Sequence, residues 1–245
     1  MLSRIIEISL FIISFVCFLY FFNNLKQYFK VFLILSIIVL ILYVIDLSIL
    51  FYTTNLQIDY EILGHISYNI LKIFIFGTTG LFLLKKYNIS DFLILKNILK
   101  NKEELSHNFL IILTAILILL IITSIYLFTK EKNIFEKKSI DILTALHLFI
   151  FTLILAVQEE AVFRMFLQSL FYPVFQKIDL RFAILFSSLF FTLSHEFIDV
   201  FRFIQLLIIG ITLGYLMYKQ GFESAVLAHF LFNIFNILIF KGVSN

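Results

Sequence analysis

Two adjacent carboxylates and a guanidinium, in the run Glu159-Glu160-Ala161-Val162-Phe163-Arg164, interrupt a stretch that is otherwise mainly apolar from Ile142 to Tyr172. A charge at the middle of a bilayer costs at least about 2.5 to 3.5 kcal/mol on insertion scales, so three so close together require a site that compensates them. Three more polar groups follow in apolar surroundings: His195, His229 and Asn233. His229 and Asn233 are four residues apart and therefore share one helix face. Arg164 follows Glu160 by four, the favourable order for an acidic and a basic residue on a helix, which suits a supporting ion pair.

Carboxylate, imidazole and amide groups gathered in one low-dielectric pocket can support hydrolysis. Desolvation disfavours a charged carboxylate while a nearby arginine favours it, and the balance can set a general base near its working pH. Glu159, helped by His195, could take a proton from water as the water attacks a peptide carbonyl. His229 and Asn233 would then offer donors to the developing oxyanion. Taken singly, Glu160 with Arg164 reads equally well as a buried structural pair, and His229 as a satisfied core histidine. Their confinement, with the other polar groups, to the last third or so of an apolar chain favours a functional site.

The elements that must position these groups are membrane helices. Of 245 residues 62% are hydrophobic and 14% charged, with a single proline, a balance that excludes an ordinary water-soluble domain. Long apolar runs without period-two alternation choose helices over a barrel, because backbone groups in lipid must bond internally. The chain is therefore predicted to be all-α, a polytopic membrane helix bundle with about eight transmembrane helices. The expected spans are 5–22, 29–51, 62–84, 109–129, 142–172, 180–198, 200–218 and 222–240. The first resembles a signal peptide but lacks a small-residue cleavage site, and is expected to remain as a helix.

The fifth span, about 46 Å long at helical rise, must tilt or project from the bilayer, and Pro173 is expected to end it. Helical rise from the side of loops 173–179 and 219–221 places Glu159 about 20 Å deep, His195 about 23 Å, His229 about 12 Å and Asn233 about 18 Å, so one pocket could gather them. Gly210 and Gly214 form a small-residue surface that admits a neighbouring helix closely.

Other polar features point to architecture. Phe92, Leu93, Leu95, Ile98 and Leu99 suggest an interfacial helix within the connector 85–108. Asp46 and Lys72, at similar depths in consecutive spans, are expected to pair or to snorkel. Glu7 lies near enough to the membrane edge to reach water, and His65, His107 and His147 are expected in core or interfacial roles. Cys17 reads as a small hydrophobe. The basic residues are scattered over short loops, which excludes a nucleic-acid footprint. Their distribution favours a cytoplasmic side carrying Lys26, Lys30, Lys85, Lys86 and the lysines of 96–102.

At its polar residues the chain resembles the CPBP family of intramembrane proteases, also called the CAAX protease and bacteriocin-processing or Abi family. Glu159-Glu160-Ala161-Val162-Phe163-Arg164 is similar to its Glu-Glu-x-x-x-Arg motif. Phe191-Thr192-Leu193-Ser194-His195 and His229-Phe230-Leu231-Phe232-Asn233 are similar to its Phe-x-x-x-His and His-x-x-x-Asn motifs. The resemblance covers about 150–236. The turn Gln220-Gly221-Phe222-Glu223-Ser224 departs from the family's Thr-Gly-Ser or Thr-Gly-Asn but keeps the glycine.

The resemblance implies a hydrolase: Glu159 as water-activating base, His195 as its partner, His229 and Asn233 as oxyanion stabilisers, and Glu160 and Arg164 as supports. Two segments follow, the N-terminal helices of 1–141, of unspecified role, and a catalytic helical core of 142–245, within one integral membrane unit. No cofactor is favoured. The alternative is a zinc ion held by Glu159, His195 and His229, without a His-Glu-x-x-His helix, since His195-Glu196-Phe197-Ile198-Asp199 departs at its last position. Expected partners are membrane lipid and a peptide or protein substrate, lipidated or membrane-inserted. The expected location is a bacterial cytoplasmic membrane, with bacteriocin processing or self-immunity as family roles. A non-enzymatic immunity or peptide-binding protein is the main competing reading. A small transporter is a third, weakened by the lack of internal repeat symmetry.

Overall fold

A computed structural model of the chain describes residues 2–54, 60–87, 102–129, 142–175, 178–195 and 199–240. Among these, regular structure is entirely helical, as long apolar runs almost free of proline demand. The elements are α1 (Leu2–Tyr20), α2 (Phe22–Thr54), α3 (Tyr60–Lys86), α4 (Lys102–Thr129) and α5 (Ile142–Glu160), then a π-helical segment (Ala161–Gln168) that continues into α6 (Ser169–Phe175). They are followed by α7 (Arg181–Ser194), α8 (Val200–Gln220) and α9 (Phe222–Phe240). The suggested interfacial helix around Phe92 to Leu99 lies outside the described residues, as do the side chains of Glu7 and His107.

Helices long and apolar enough to cross a bilayer contain Leu33–Leu50, Gly64–Lys86, Ile142–Phe175 and Val200–Gln220. Shorter apolar helices, Ile8–Tyr20, Leu110–Tyr126, Arg181–Ser194 and Phe222–Ile237, occupy the other expected spans. Many large apolar side chains, such as Ile12, Leu19, Ile41, Leu117 and Ile125, point outward, where a soluble protein would expose few. In a bilayer this is the lipid-facing surface. The protein is an integral membrane helix bundle.

Two boundaries differ from the sequence expectation. Pro173 lies inside α6, and the helix runs on to Phe175. A proline so near a helix end forfeits one backbone bond and is tolerated there. The sixth span stops early: α7 has 14 residues, about 21 Å, and ends at Ser194 with His195 already extended at φ −94° and ψ 153°. An unwound segment at membrane depth is tolerated only where it is buried in protein or lines a cavity.

The π segment is the centre of the bundle, with all eight of its residues buried. It packs against α3 and α7, α9 lies along α5, and α2 packs on both α3 and α5. Glycines set the closest approaches. A Cβ on Gly80 of α3 would collide with the backbone carbonyl of Met165. On α8, a Cβ at Gly210 would meet Ser188 Cβ at 2.9 Å, and one at Gly214 would meet Gln168 Oε1 and Ile184 Cγ2 at 2.9 Å. The small-residue face of α8 is thus turned towards α7 and the π segment, as its spacing suggests.

Candidate active site

The last residues of α5 and the first of the π segment present Glu159, Glu160 and Arg164 to two other helices. Glu160 and Arg164 are wholly buried, with Arg164 Nε 3.2 Å from Glu160 Oε2. The second carboxylate oxygen, Glu160 Oε1, accepts from His229 Nδ1 at 2.8 Å. Glu160 is therefore bridged between a guanidinium on its own helix and an imidazole of α9. The arginine is further compensated by Phe191, whose ring centroid lies 4.8 Å from its guanidinium carbon.

Glu159 faces the other way. Its Oε2 lies 3.6 Å from His195 Nε2 and 3.7 Å from His229 Nε2. Both separations exceed a direct hydrogen bond but hold the charges close. Each imidazole is oriented by its other nitrogen. His195 Nδ1 lies 2.7 Å from the Phe191 carbonyl, an acceptor only, so Nδ1 carries the proton and Nε2 is left to Glu159. His229 donates its Nδ1–H to Glu160 in the same manner, and its Nε2 also meets Glu159.

Asn233 lies one turn beyond His229 on α9, half-buried, and makes no hydrogen bond among the described residues. The fold therefore joins Glu159, Glu160, Arg164, His195 and His229 by contact, and leaves the Asn233 amide uncommitted. Phe191 was quoted in the sequence motif without a role. Its carbonyl fixes His195, and its ring contacts Arg164, His195 with centroids 4.4 Å apart, and Phe163 at 5.3 Å. The signal was its position four residues before His195, on the same helix face.

Glu159 and His195 open on a cavity of about 340 Å³ whose wall also includes Lys72, Gln158 and Phe163. The Glu159 side chain keeps 17% of its surface accessible and that of His195 28%, against none for Glu160. One glutamate is reachable and its neighbour is sealed.

Several other polar residues have structural partners. Asp46 Oδ1 bonds His147 Nδ1 at 2.7 Å, a contact between α2 and α5 in place of the sequence expectation for Asp46, and one that gives His147 its core role. His65 is exposed. Gln168, buried beneath the site, donates to Tyr172 Oη at 2.8 Å and to the Gly214 carbonyl at 3.0 Å, tying the π segment to α8. Asp199 caps α8 by accepting from the Arg202 amide at 2.9 Å, so it cannot act as a helical partner one turn from His195. Among the described residues no group of three or more His, Cys, Asp or Glu side chains is arranged to hold a metal ion.

The fold and the site together define a polytopic helical membrane protein with a buried carboxylate and imidazole cluster bordering an internal cavity. Residues 141–235, from the start of α5 to the middle of α9, match the family model described as Type II CAAX prenyl endopeptidase Rce1-like. Over this segment, under half of the chain, the protein is similar to the CAAX protease family, and the match indicates a membrane protease, a hydrolase acting on peptide bonds. The match takes in all six candidate residues and leaves α1–α4 outside it. Neither a curated protein nor a solved structure gives a match to the chain.

Proposed function

We propose that the protein cleaves peptides inserted in or lying against the membrane, with Glu159 as general base. The observation that supports this is a single carboxylate oxygen, Glu159 Oε2, faced by two imidazole Nε2 atoms at 3.6 and 3.7 Å beside a cavity of about 340 Å³. A cavity of that size is within the range that takes small ligands and can admit part of a peptide.

Water polarised between Glu159 and His195 gives its proton to the Glu159 carboxylate as its oxygen attacks the scissile carbonyl carbon. The carbonyl electron pair moves to oxygen, where the Asn233 amide and His229 act as donors. Collapse of the tetrahedral species breaks the C–N bond, and the proton held by Glu159 passes to the leaving nitrogen. Glu160 and Arg164 hold His229 and do not touch substrate.

Glu159→Gln and His195→Ala, purified in bilayer discs and given apolar membrane peptides, are each expected to lower kcat by roughly a hundred- to ten-thousandfold, the scale of general acid–base catalysis. Unchanged cleavage by either variant overturns the mechanism. A chelator is expected to leave cleavage intact. Loss of activity restored by zinc would instead make Glu159, His195 and His229 ligands.

The biological setting we propose is a bacterial cytoplasmic membrane, with a bacteriocin, its leader or a membrane regulator as substrate. The abundance of Ile, Lys, Asn and Phe with no Trp fits a low-GC bacterial source. Bacteriocin protection that survives Glu159→Gln at normal expression would reject cleavage as its basis and favour a non-enzymatic immunity protein.

A further inference from the structure

One side of the cavity beside Glu159 is a single face of α5 and the π segment: Leu155, Gln158, Glu159, Val162 and Phe163 are spaced as neighbours along a helix. Gln158, the residue before the candidate base, is the one amide side chain among the described residues that line it. Its Nε2 donates to Asn69 Oδ1 of α3 at 2.9 Å, and Asn69 Nδ2 in turn donates to Tyr43 Oη of α2 at 3.1 Å. Asn69 and Tyr43 are both buried, so this chain of bonds lies inside the bundle. With Nε2 spent in this way the Gln158 amide is held in one rotation, and its Oε1, which makes no hydrogen bond among the described residues, is left as an acceptor. Other polar side chains of the wall have different capacities. Lys72 offers donors only, the Ser194 hydroxyl donates to the Phe191 carbonyl at 2.7 Å, and Glu159 and His195 face each other as the hydrolytic pair.

Water can reach a peptide carbonyl only where the backbone has left its helix. An unwound stretch at membrane depth carries amide N–H groups that neither lipid nor an apolar wall can satisfy. An acceptor fixed one residue from the base meets that need where it arises. Resting on the peptidase reading above, we propose that Gln158 binds substrate, its Oε1 accepting a backbone N–H of the extended peptide next to the scissile bond. Asn69 and Tyr43 are then positioning residues that hold the amide in that orientation. Recognition at this point is of main chain and not of side chain, so the site takes peptides that unwind there and disfavours proline, which has no N–H to give. The N-terminal helices thereby orient a substrate contact, while α5–α9 supply the hydrolytic groups.

Binding tests this separately from cleavage. Full-length protein carrying Glu159→Gln, in bilayer discs, is titrated with one apolar membrane peptide and with a series in which single backbone amides are replaced by esters, which removes an N–H without adding bulk. At one position the ester is expected to bind about tenfold more weakly, the scale of one buried hydrogen bond left unmade. Adding Gln158→Met is expected to weaken binding of the all-amide peptide by about the same factor and to abolish the further loss at that ester, as a double-mutant cycle between two contacting groups requires. Asn69→Leu, which frees the Gln158 amide to turn, is expected to reduce the ester penalty with Gln158 still present, a change that a merely structural role would not produce. An ester series without a sensitive position overturns the proposal, as does a sensitive position whose penalty survives Gln158→Met. If Gln158→Met does not fold, an ester penalty undiminished in Asn69→Leu overturns it in the same way. With Glu159 restored, an ester-sensitive binding position without any cleavage would uphold Gln158 and reject the peptidase reading, whereas cleavage without such a position would do the reverse.

Discussion

Arg164 carries its charge where water has no access, and three groups make this tolerable: Glu160 on its own helix, the Phe191 ring, and indirectly His229, which bonds the far oxygen of the same glutamate. Removing one member leaves the others as uncompensated buried charge. Arg164→Met is accordingly expected to destabilise the protein by about 3–5 kcal/mol, read from thermal or denaturant unfolding in detergent. The double variant Glu160→Leu with Arg164→Met should be closer in stability to the unaltered chain than the single one, yet inactive, because His229 has lost the acceptor that turns its Nε2 towards Glu159. A double variant less stable than both singles would contradict the supporting role. Phe191 acts on the same scale. Phe191→Leu keeps apolar volume but removes the ring against Arg164 and the packing that seats the carbonyl beneath His195. A fall in kcat of about a hundredfold is expected from misplacing that imidazole, with a smaller change in KM. The acidic and basic members of this cluster were legible in the sequence because charge in an apolar run is conspicuous. The contribution of Phe191 was not, since one phenylalanine among 33 shows only its spacing from His195 until its backbone carbonyl and its ring are placed.

At the scale of elements, the eight-residue π segment decides where the site sits. A π turn widens the helix and turns side chains out of the α register, and such segments recur at functional sites. Here it begins directly after Glu160, so the two glutamates close an α-helix while Arg164 opens the wider one. α3 packs against this segment backbone to backbone at Gly80, where any Cβ would overlap the Met165 carbonyl. Because the obstruction is backbone and not a flexible side chain, Gly80→Ala must separate α3 from the segment. A loss of about 1–3 kcal/mol is expected, with a larger drop in cleavage as the cavity wall shifts. Gly64→Ala, on the same helix with nothing within 4 Å of the added carbon, is the control and is expected to leave both unchanged. Equal melting temperatures for the two variants would show that the contact is not tight. Hydropathy revealed where apolar helices lie, and its eight spans correspond to the helices of the described residues. It could not show that α7 stops at Ser194 or that the fifth helix changes its winding, because both features come from packing against other helices and not from the apolarity of the segments themselves.

Across the whole molecule, two parts of unequal legibility form one site. The half with recognisable motifs supplies Glu159, His195 and His229, and α1–α3, which carry no motif, supply Leu10, Lys72 and the Asn69 contact to Gln158. The Asp46–His147 bond makes a further connection, between α2 and α5. Such dependence is invisible in sequence, since nothing in Asn69 or Asp46 announces a partner roughly a hundred residues away. It also predicts how the chain behaves when divided. Membrane helices insert individually and then associate through packing and interhelical hydrogen bonds, so a cut between helices need not prevent assembly. A fragment of residues 142–245 expressed alone retains the six candidate residues but lacks the helix against which the π segment packs and two residues of the cavity wall. It is expected to insert, to show no peptide cleavage, and to be degraded quickly. Co-expression with residues 1–129 is expected to restore cleavage and to allow the fragments to be purified together. Introducing Asn69→Leu with Asp46→Leu into the first fragment should then weaken their association, because two of the bonds that cross the cut are lost while the Gln205–Thr123 bond is kept. Full activity of residues 142–245 alone would show that the N-terminal helices stand apart from the site, and association unaffected by the paired leucine changes would show that these two bonds are not what joins the halves.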